Sequence, residues 1–305
     1  MNLDTIKYIA RNPESLFMML GSKGLLNWIP DNVYVYIYSS LSLGYSVNLK
    51  KPQTFNEKMQ WLKLYDRNSV YTELADKYEV RKHIAKKIGE EYLIPLVGGP
   101  WKSVEEIDFS ALPNQFVLKT THDSGGIVFC KDKNNFDIER AKEKLKKHLR
   151  RKYYYGKREW PYKGINPQIV AEQYMKDGES ENLTVYKIFC FGGEPKIIQT
   201  IQNDKTKDES IDYFSPDWTL LDMRQNFPNS DTPMAKPEKL EEMLAIAKSL
   251  SEGFPFIRTD LYSINNNVYF SELTFYSDSG SAAFDPPEWD RILGSWIKLP
   301  DKKMG

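Results

Sequence analysis

Two short stretches near the C-terminus, 256–262 and 268–275, constrain this chain more than any other feature. Both read as strands, and Asn265-Asn266-Asn267 between them is a polar run that tolerates positive φ and makes a turn. With the turn centred on Asn266, Asp260 falls opposite Glu272 and Arg258 opposite Thr274. Residues directly opposed on one sheet face have Cβ atoms roughly 4.5–5.5 Å apart. Two carboxylates at that spacing repel unless a cation lies between them. Mg²⁺ takes one or two carboxylates plus substrate phosphates, and Arg258 alongside would suit phosphate or carboxylate. The pattern points to a nucleotide site. A one-residue slip would separate the pair, and polar hairpin faces often carry an Asp and a Glu, so the rest of the chain has to supply support.

At 305 residues the chain is long enough for a sizeable core divided between two lobes. Lys plus Arg (42) balances Asp plus Glu (42), so no overall basic field exists to attract nucleic acid. Cys130 and Cys190 lie on apolar, strand-like segments without metal-ligand spacing and suit a reducing compartment. Only three histidines are present (His83, His122, His148), which argues against a histidine-rich zinc site. No secretion signal is visible, and no run reaches the ~18–20 apolar residues that span a bilayer. A cytoplasmic location is expected, although an amphipathic N-terminal helix could touch a membrane surface.

Residues 1–50 read as helices joined by turns. Thr54-Phe-Asn-Glu57 is a capping box that starts a helix running to about Tyr65. A second helix is expected over 70–88, with Lys77 and Arg81 on one face. Phe116-Val-Leu-Lys-Thr120 is a buried-type strand, and Thr121-His-Asp-Ser-Gly-Gly126 is a small-residue loop whose backbone N–H groups could approach an anion. A basic helix follows over 137–151. The segment Tyr153 to Trp160 is aromatic and basic, a candidate for sugar or acidic-acceptor contact. Strand 169–175 carries Glu172 behind Ile-Val-Ala, where an unpaired carboxylate would cost several kcal/mol. A hairpin over 185–201 turns at Gly192-Gly193, residues 203–235 look irregular, and an amphipathic helix covers 237–252. The class is α+β.

The ordered series Asp76-Lys77, Lys119 with Gly125-Gly126, Glu172 with Tyr174, Lys187, Arg258-x-Asp260 and Glu272-x-Thr274 resembles the ATP-grasp superfamily. More closely, the chain is similar to the teichuronopeptide-biosynthesis (TupA-like) ATP-grasp family, whose members often bear the label glycosyltransferase. The carrying phrases are 54–66, Leu74-Ala-Asp-Lys-Tyr78, His122-Asp-Ser-Gly-Gly126, Arg158-Glu-Trp-Pro161 and Glu272-Leu-Thr-Phe275. The match covers about residues 45–299.

The resemblance implies two α+β lobes whose antiparallel sheets grip ATP. It implies a helical segment over 1–65, a small lobe with its lead-in helix over 66–175, and a large lobe with the metal site over 176–305. Lys77 and Lys119 would contact phosphates, His122, Ser124, Gly125 and Gly126 would cover them, and Lys187 would lie beneath. Glu172, Gln173 and Tyr174 would receive adenine, with Glu179 or Glu181 near the ribose. Asp260 and Glu272 would hold Mg²⁺, with Thr274 where many such ligases have Asn. Arg258 would steady the phosphoryl group or acceptor carboxylate, Arg158 would face the substrate, and Ser279-Gly280 would offer N–H groups to an anion. Taken singly, Lys77 and Lys187 read equally as surface lysines.

The activity so implied is an ATP-dependent carboxylate–amine ligase working through an acyl phosphate, in cell-surface polysaccharide or teichuronopeptide assembly. Its partners would be a small-molecule or saccharide carboxylate and an amine, without nucleic acid or a transmembrane segment, and with peripheral contact with membrane-bound glycan assembly left open. The alternatives are an ATP-dependent kinase, a glycosyltransferase, and a non-catalytic scaffold that only binds nucleotide. Against the transferase, the chain lacks the Asp-x-Asp pair with which many such enzymes hold metal.

Overall fold

The computed structural model describes residues 12–178, 183–204 and 206–302. Helices α1 (Pro13–Ser22) and α2 (Asp31–Leu43) lead to α3 (Phe55–Tyr65). The expected capping box opens α3: Glu57 N–H donates to Thr54 Oγ1 at 3.2 Å and Thr54 N–H to Glu57 Oε2 at 3.3 Å.

The single helix expected over 70–88 is two, α4 (Val70–Ala75) and α5 (Val80–Lys87). Asp76 causes the break. Its Oδ1 accepts from Tyr78 N–H at 2.7 Å and Glu79 N–H at 3.1 Å, the local side-chain bonding by which Asp competes with a helix ladder. Lys77 N–H is thereby released to donate to the Thr121 carbonyl at 3.1 Å.

The smaller sheet has the order β1-β4-β2-β3, with β1 (Leu96–Trp101), β2 (Phe116–Thr120), β3 (Ile127–Cys130) and β4 (Ile169–Gln173). Helices α6 (Ile138–Leu149) and α7 (Tyr154–Lys157) lie between β3 and β4 in the chain. Leu145 of α6 is fully buried in the core formed with Phe116, Leu118, Ile169 and Ala171. Burial of one such leucine contributes about 2 kcal/mol.

The larger sheet has the order β7-β6-β5-β8-β9: β5 (Thr184–Phe191), β6 (Glu194–Gln202), β7 (Ser210–Phe214), β8 (Phe256–Ile264) and β9 (Asn267–Thr274). Helix α8 (Leu240–Ser251) covers it with Met243, Ala247 and Leu250, and α9 (Glu288–Trp296) closes the chain against α3. Every strand pairing is antiparallel in both sheets, so the α+β class with two antiparallel sheets is observed. Strand β7 falls inside the stretch expected to be irregular.

Chain order and lobes do not coincide. Tyr71, Leu74, Val80 and Ile84 share one buried core with Phe55, Met59 and the larger sheet, not with the smaller one. Helices α3 to α5 thus pack in the same core as the larger sheet, on both sides of residue 66. Among the described residues, no helix is long and apolar enough to cross a membrane.

Candidate active site

Strand register builds the polar floor of the site. Lys187 pairs with Asp260, and Asp260 pairs with Glu272, giving one row of side chains across β5, β8 and β9. In the next row on the same face, Arg258 pairs with Thr274. The Asp260–Glu272 partnership matches the sequence expectation but arises differently. Asn265 (φ 48°) and Asn266 (φ 59°) form a two-residue turn, with Ile264 opposite Asn267. That turn alone would pair Asp260 with Ser271. A bulge at Ser271 adds one residue to β9 and restores Glu272 to the position opposite Asp260.

Arg258 occupies the centre of this floor. Its Nε and Nη2 donate to the two carboxylate oxygens of Asp260, each at 2.7 Å. Nη2 also donates to Thr274 Oγ1 at 3.1 Å and Nη1 to Ser277 Oγ at 3.2 Å, while Glu272 Oε1 lies 3.6 Å from Nη2. Burial disfavours the guanidinium cation, but the charge and hydrogen bonds of Asp260, with the charges of Glu272 and Asp278, together outweigh it and hold Arg258 protonated. Burial likewise works to push Asp260 up while Arg258 pulls it down. Glu272 is kept below the usual carboxylate range because Lys77, Arg258, Lys187 and Lys119 together outweigh its partial desolvation in the cleft. Lys187 is pushed down by burial and by the Arg258 charge.

The opposing wall comes from the smaller sheet. Lys119 and Val117 share a face of β2, and Glu172 of β4 lies opposite Val117, so Lys119 and Glu172 meet diagonally at 2.5 Å. Arg81 approaches Glu172 from behind at 3.8 Å and donates to the Ile94 carbonyl at 2.8 Å. Burial alone would depress the Lys119 ammonium, but Glu172, with smaller contributions from Tyr262 and Glu272, reverses that and keeps it charged. Lys77 Nζ, swung out by the helix break at Asp76, donates to the Asp123 carbonyl at 2.7 Å.

Between the walls lies a cleft of about 350 Å³ lined by Lys77, Lys119, Lys187, Asp260 and Glu272, with Ser124 and Gly125 above. A more apolar hollow of about 320 Å³ continues from it, formed by Ile94, Phe129, Gln173, Tyr174, Met175 and Tyr262, with Lys119 and Glu172 on the shared border. A polar, cation-rich chamber thus adjoins a more apolar one. Tyr262 and Ser271 line the cleft without having been singled out from sequence.

Several expected site residues lie elsewhere. His122 is buried on the far side of its loop, with its Nε2 3.1 Å from the Arg151 carbonyl, and lines a different hollow. Gly126 does not line the cleft. An added Cβ would lie 1.7 Å from Thr120 Oγ1, so this glycine is required by the tight base of the hairpin. Arg158 is spoken for: it stacks over the Tyr34 ring at 4.1 Å, faces Asp31 at 3.3 Å and donates to the Leu26 and Tyr155 carbonyls. Buried against the N-terminal helices, it does not line the cleft. Ser279 is also buried, its carbonyl and hydroxyl accepting from Lys63 at 2.6 and 2.7 Å. Gly280 (φ 60°) is pressed against Met59. This turn supports the floor from behind, next to Ser277. Glu179 and Glu181 lie outside the described residues.

The acid pair fits a magnesium ion only in part. Among the described residues no group of three or more His, Cys, Asp or Glu side chains could hold a metal ion. The Glu272 side chain is 41% exposed and open to the cleft, whereas both Asp260 oxygens are engaged by Arg258. Such a donor set suits an ion that arrives with phosphate oxygens.

Residues 57–298 match the family model described as TupA-like ATPgrasp. No curated protein matches the chain. Among solved structures, D-alanine–D-alanine ligase from Helicobacter pylori is similar at 17% identity and TM-score 0.44, over 80% of this chain and 69% of that one. N5-carboxyaminoimidazole synthase from Aspergillus clavatus, in complex with ADP and 5-aminoimidazole ribonucleotide, is similar at 12% identity and TM-score 0.38, over 66% and 44%. D-alanine–D-alanine ligase from Bacillus anthracis complexed with ATP gives 15% identity and TM-score 0.38, over 66% and 55%.

Proposed function

Because the chain belongs to the TupA-like ATP-grasp family, we propose that it is an ATP-dependent ligase joining a carboxylate to an amine through an acyl phosphate. The observation that carries this reading is the convergence of Lys77, Lys119 and Lys187 with Asp260 and Glu272 on one cleft between two sheets. The adjoining hollow of Phe129, Tyr174 and Tyr262 suits a purine ring, and the cations suit a triphosphate. Magnesium, held by Glu272 and the phosphates and flanked by Asp260, would offset charge on the transferring group.

In the first step a carboxylate oxygen of the acid attacks the γ-phosphorus and ADP leaves. In the second, the amine nitrogen attacks the acyl carbon, phosphate departs and the nitrogen loses a proton. The protein supplies no nucleophile. Lys119 and Lys77 hold the phosphates, and Arg258 orients either the phosphoryl group or the acid. Ser124 and Gly125 cover the reacting atoms, which limits hydrolysis of the acyl phosphate. On the resemblance drawn from the sequence, we place the reaction in cell-surface polymer assembly, with a uronic acid or acidic peptide as the acid.

Incubation with ATP, Mg²⁺ and panels of acids and amines tests the proposal. Phosphate release that needs both an acid and an amine is expected. A stable phosphorylated acceptor formed without amine would make the protein a kinase, and use of a nucleotide sugar without ATP would make it a transferase.

A further inference from the structure

Ser124 and Gly125 line the cleft, yet the sheet ladder ends below them. Thr120 N–H donates to the Gly126 carbonyl at 2.8 Å and Thr121 N–H to the Gln168 carbonyl at 2.9 Å. Beyond these bonds the tip of the loop leans on the end of α6.

Asp123 is the joint. Its side chain has no solvent exposure, and a carboxylate cut off from water needs partners. His148 Nδ1 lies 2.5 Å from its Oδ2, Thr120 Oγ1 donates to its Oδ1, and the Arg151 guanidinium stands 3.8 Å from Oδ2. An ionised carboxylate only accepts, so Nδ1 of His148 carries the proton in this contact. The backbone of Asp123 serves the cleft: its carbonyl accepts from Lys77 Nζ at 2.7 Å, and Lys77 is a lining residue. The next carbonyl, that of Ser124, accepts from Arg151 Nη1 at 3.1 Å. His148 also backs Gly125, where an added Cβ would lie 3.7 Å from the imidazole Cε1.

Helix α6 is a firm post for these contacts. Leu145 is fully buried in the core of the smaller sheet, and His148, three residues on, shares its face. Arg151 N–H donates to the His148 carbonyl at 2.8 Å, so one turn delivers both side chains.

We infer that His148 and Arg151 are positioning residues for the triphosphate. Acting through Asp123 and the Ser124 carbonyl, they fix Ser124 and Gly125 over the phosphates and aim Lys77 Nζ at them. Neither residue touches the nucleotide. The apolar hollow assigned to the purine shares no residue with this latch, so the latch acts on the phosphate end of the ligand alone. The inference rests on the reading of the cleft as an ATP site and adds to it what holds the covering loop.

Amide hydrogen exchange on the ligand-free protein and nucleotide titrations of the same variants test it. His148→Leu should speed exchange at Ser124 and Gly125 roughly tenfold or more, with the amides of β4 unchanged. It should weaken ATP–Mg²⁺ roughly fivefold or more and leave adenosine, followed by ligand-observed NMR, within about twofold. His148→Asn places an amide nitrogen close to the position of Nδ1 and should restore most of both losses. Arg151→Ala removes a side chain that is 43% exposed and leaves the His148 contact with Asp123 in place, so it tests the latch without stranding a buried charge. It should weaken ATP–Mg²⁺ roughly threefold or more and spare adenosine. Unchanged ATP affinity in both His148→Leu and Arg151→Ala would overturn the inference. So would equal losses of ATP and adenosine, or a His148→Asn protein no better than His148→Leu. Failure of the wild-type protein to bind ATP would instead refute the nucleotide reading, and the exchange rates of Ser124 and Gly125 would then decide alone whether the latch holds the loop.

Discussion

Replacing Lys119 by methionine removes a charge from the cleft at nearly constant side-chain volume, and its two consequences can be measured separately. For folding, the change orphans Glu172, whose oxygen lies 2.5 Å from the ammonium. Breaking one partner of a buried pair costs about 3–5 kcal/mol. Here the two side chains retain 15% and 10% exposure, and Arg81 stays 3.8 Å from Glu172, so a loss of roughly 2 kcal/mol is expected. At about 2–4 °C per kcal/mol for chains of comparable size, Tm should fall by roughly 4–8 °C. For nucleotide binding, a lost hydrogen bond to a charged group is worth about 1.5–3 kcal/mol. At about 1.4 kcal/mol per factor of ten, ATP should bind roughly 10- to 150-fold more weakly. Melting curves and ATP–Mg²⁺ titrations on the same preparations supply both numbers. The double variant with Glu172→Gln removes both charges, so it should recover most of the stability and none of the affinity. An ATP affinity within about twofold of wild type, alongside a lowered Tm, would make Lys119 merely the counter-ion of Glu172 and refute the phosphate role.

Glu272→Gln should abolish turnover and leave Tm nearly unchanged, because that side chain is 41% exposed and its loss strands no buried partner; persistence of product formation in a ligation assay would reject its place at the metal. Lys63 provides a pH signature, since burial pushes its ammonium from an ordinary 10.5 down to about 7. Between those values the unfolded chain binds a proton that the folded chain does not, so stability relative to Lys63→Met should rise with pH from about 7 to 10, by up to ~1.4 kcal/mol per pH unit, and stay level below 7. Urea unfolding of both proteins at pH 6.5 and 9.5 checks the sign, and a pH-independent difference would contradict it.

The hairpin was legible because its two strands are short, strongly patterned and adjacent in sequence. Even so, the Asp260–Glu272 pairing rests on a bulge at Ser271, a residue with no chemical signature of one. A tighter turn and an extra residue offset each other. Lys119 and Glu172 were legible for a related reason, being charged residues on strands otherwise fit only for burial. What escaped was direction. His122 and Arg158 are polar loop residues, and the loop sequence does not specify whether they face the cleft or the Arg151 carbonyl and the Tyr34 ring. Strand β7 escaped because Asp212 breaks its apolar run, yet that carboxylate is buried and accepts from Ser230 N–H at 3.0 Å. A distant partner that neutralises a polar interruption leaves no mark on the local pattern.

The placement of α3 to α5 on the larger sheet has a practical consequence. Phe55, Met59, Trp61 and Leu62 fill the same interior as Phe256 and Phe275, about two thirds of the chain away. Neither half can therefore be produced by cutting the polypeptide once: a fragment starting at the first strand of the smaller sheet would leave an oily face uncovered, and one ending before residue 176 would carry amphipathic helices with nothing to rest on. Dissecting the two lobes calls for a circular permutant that joins the front of the molecule to its tail.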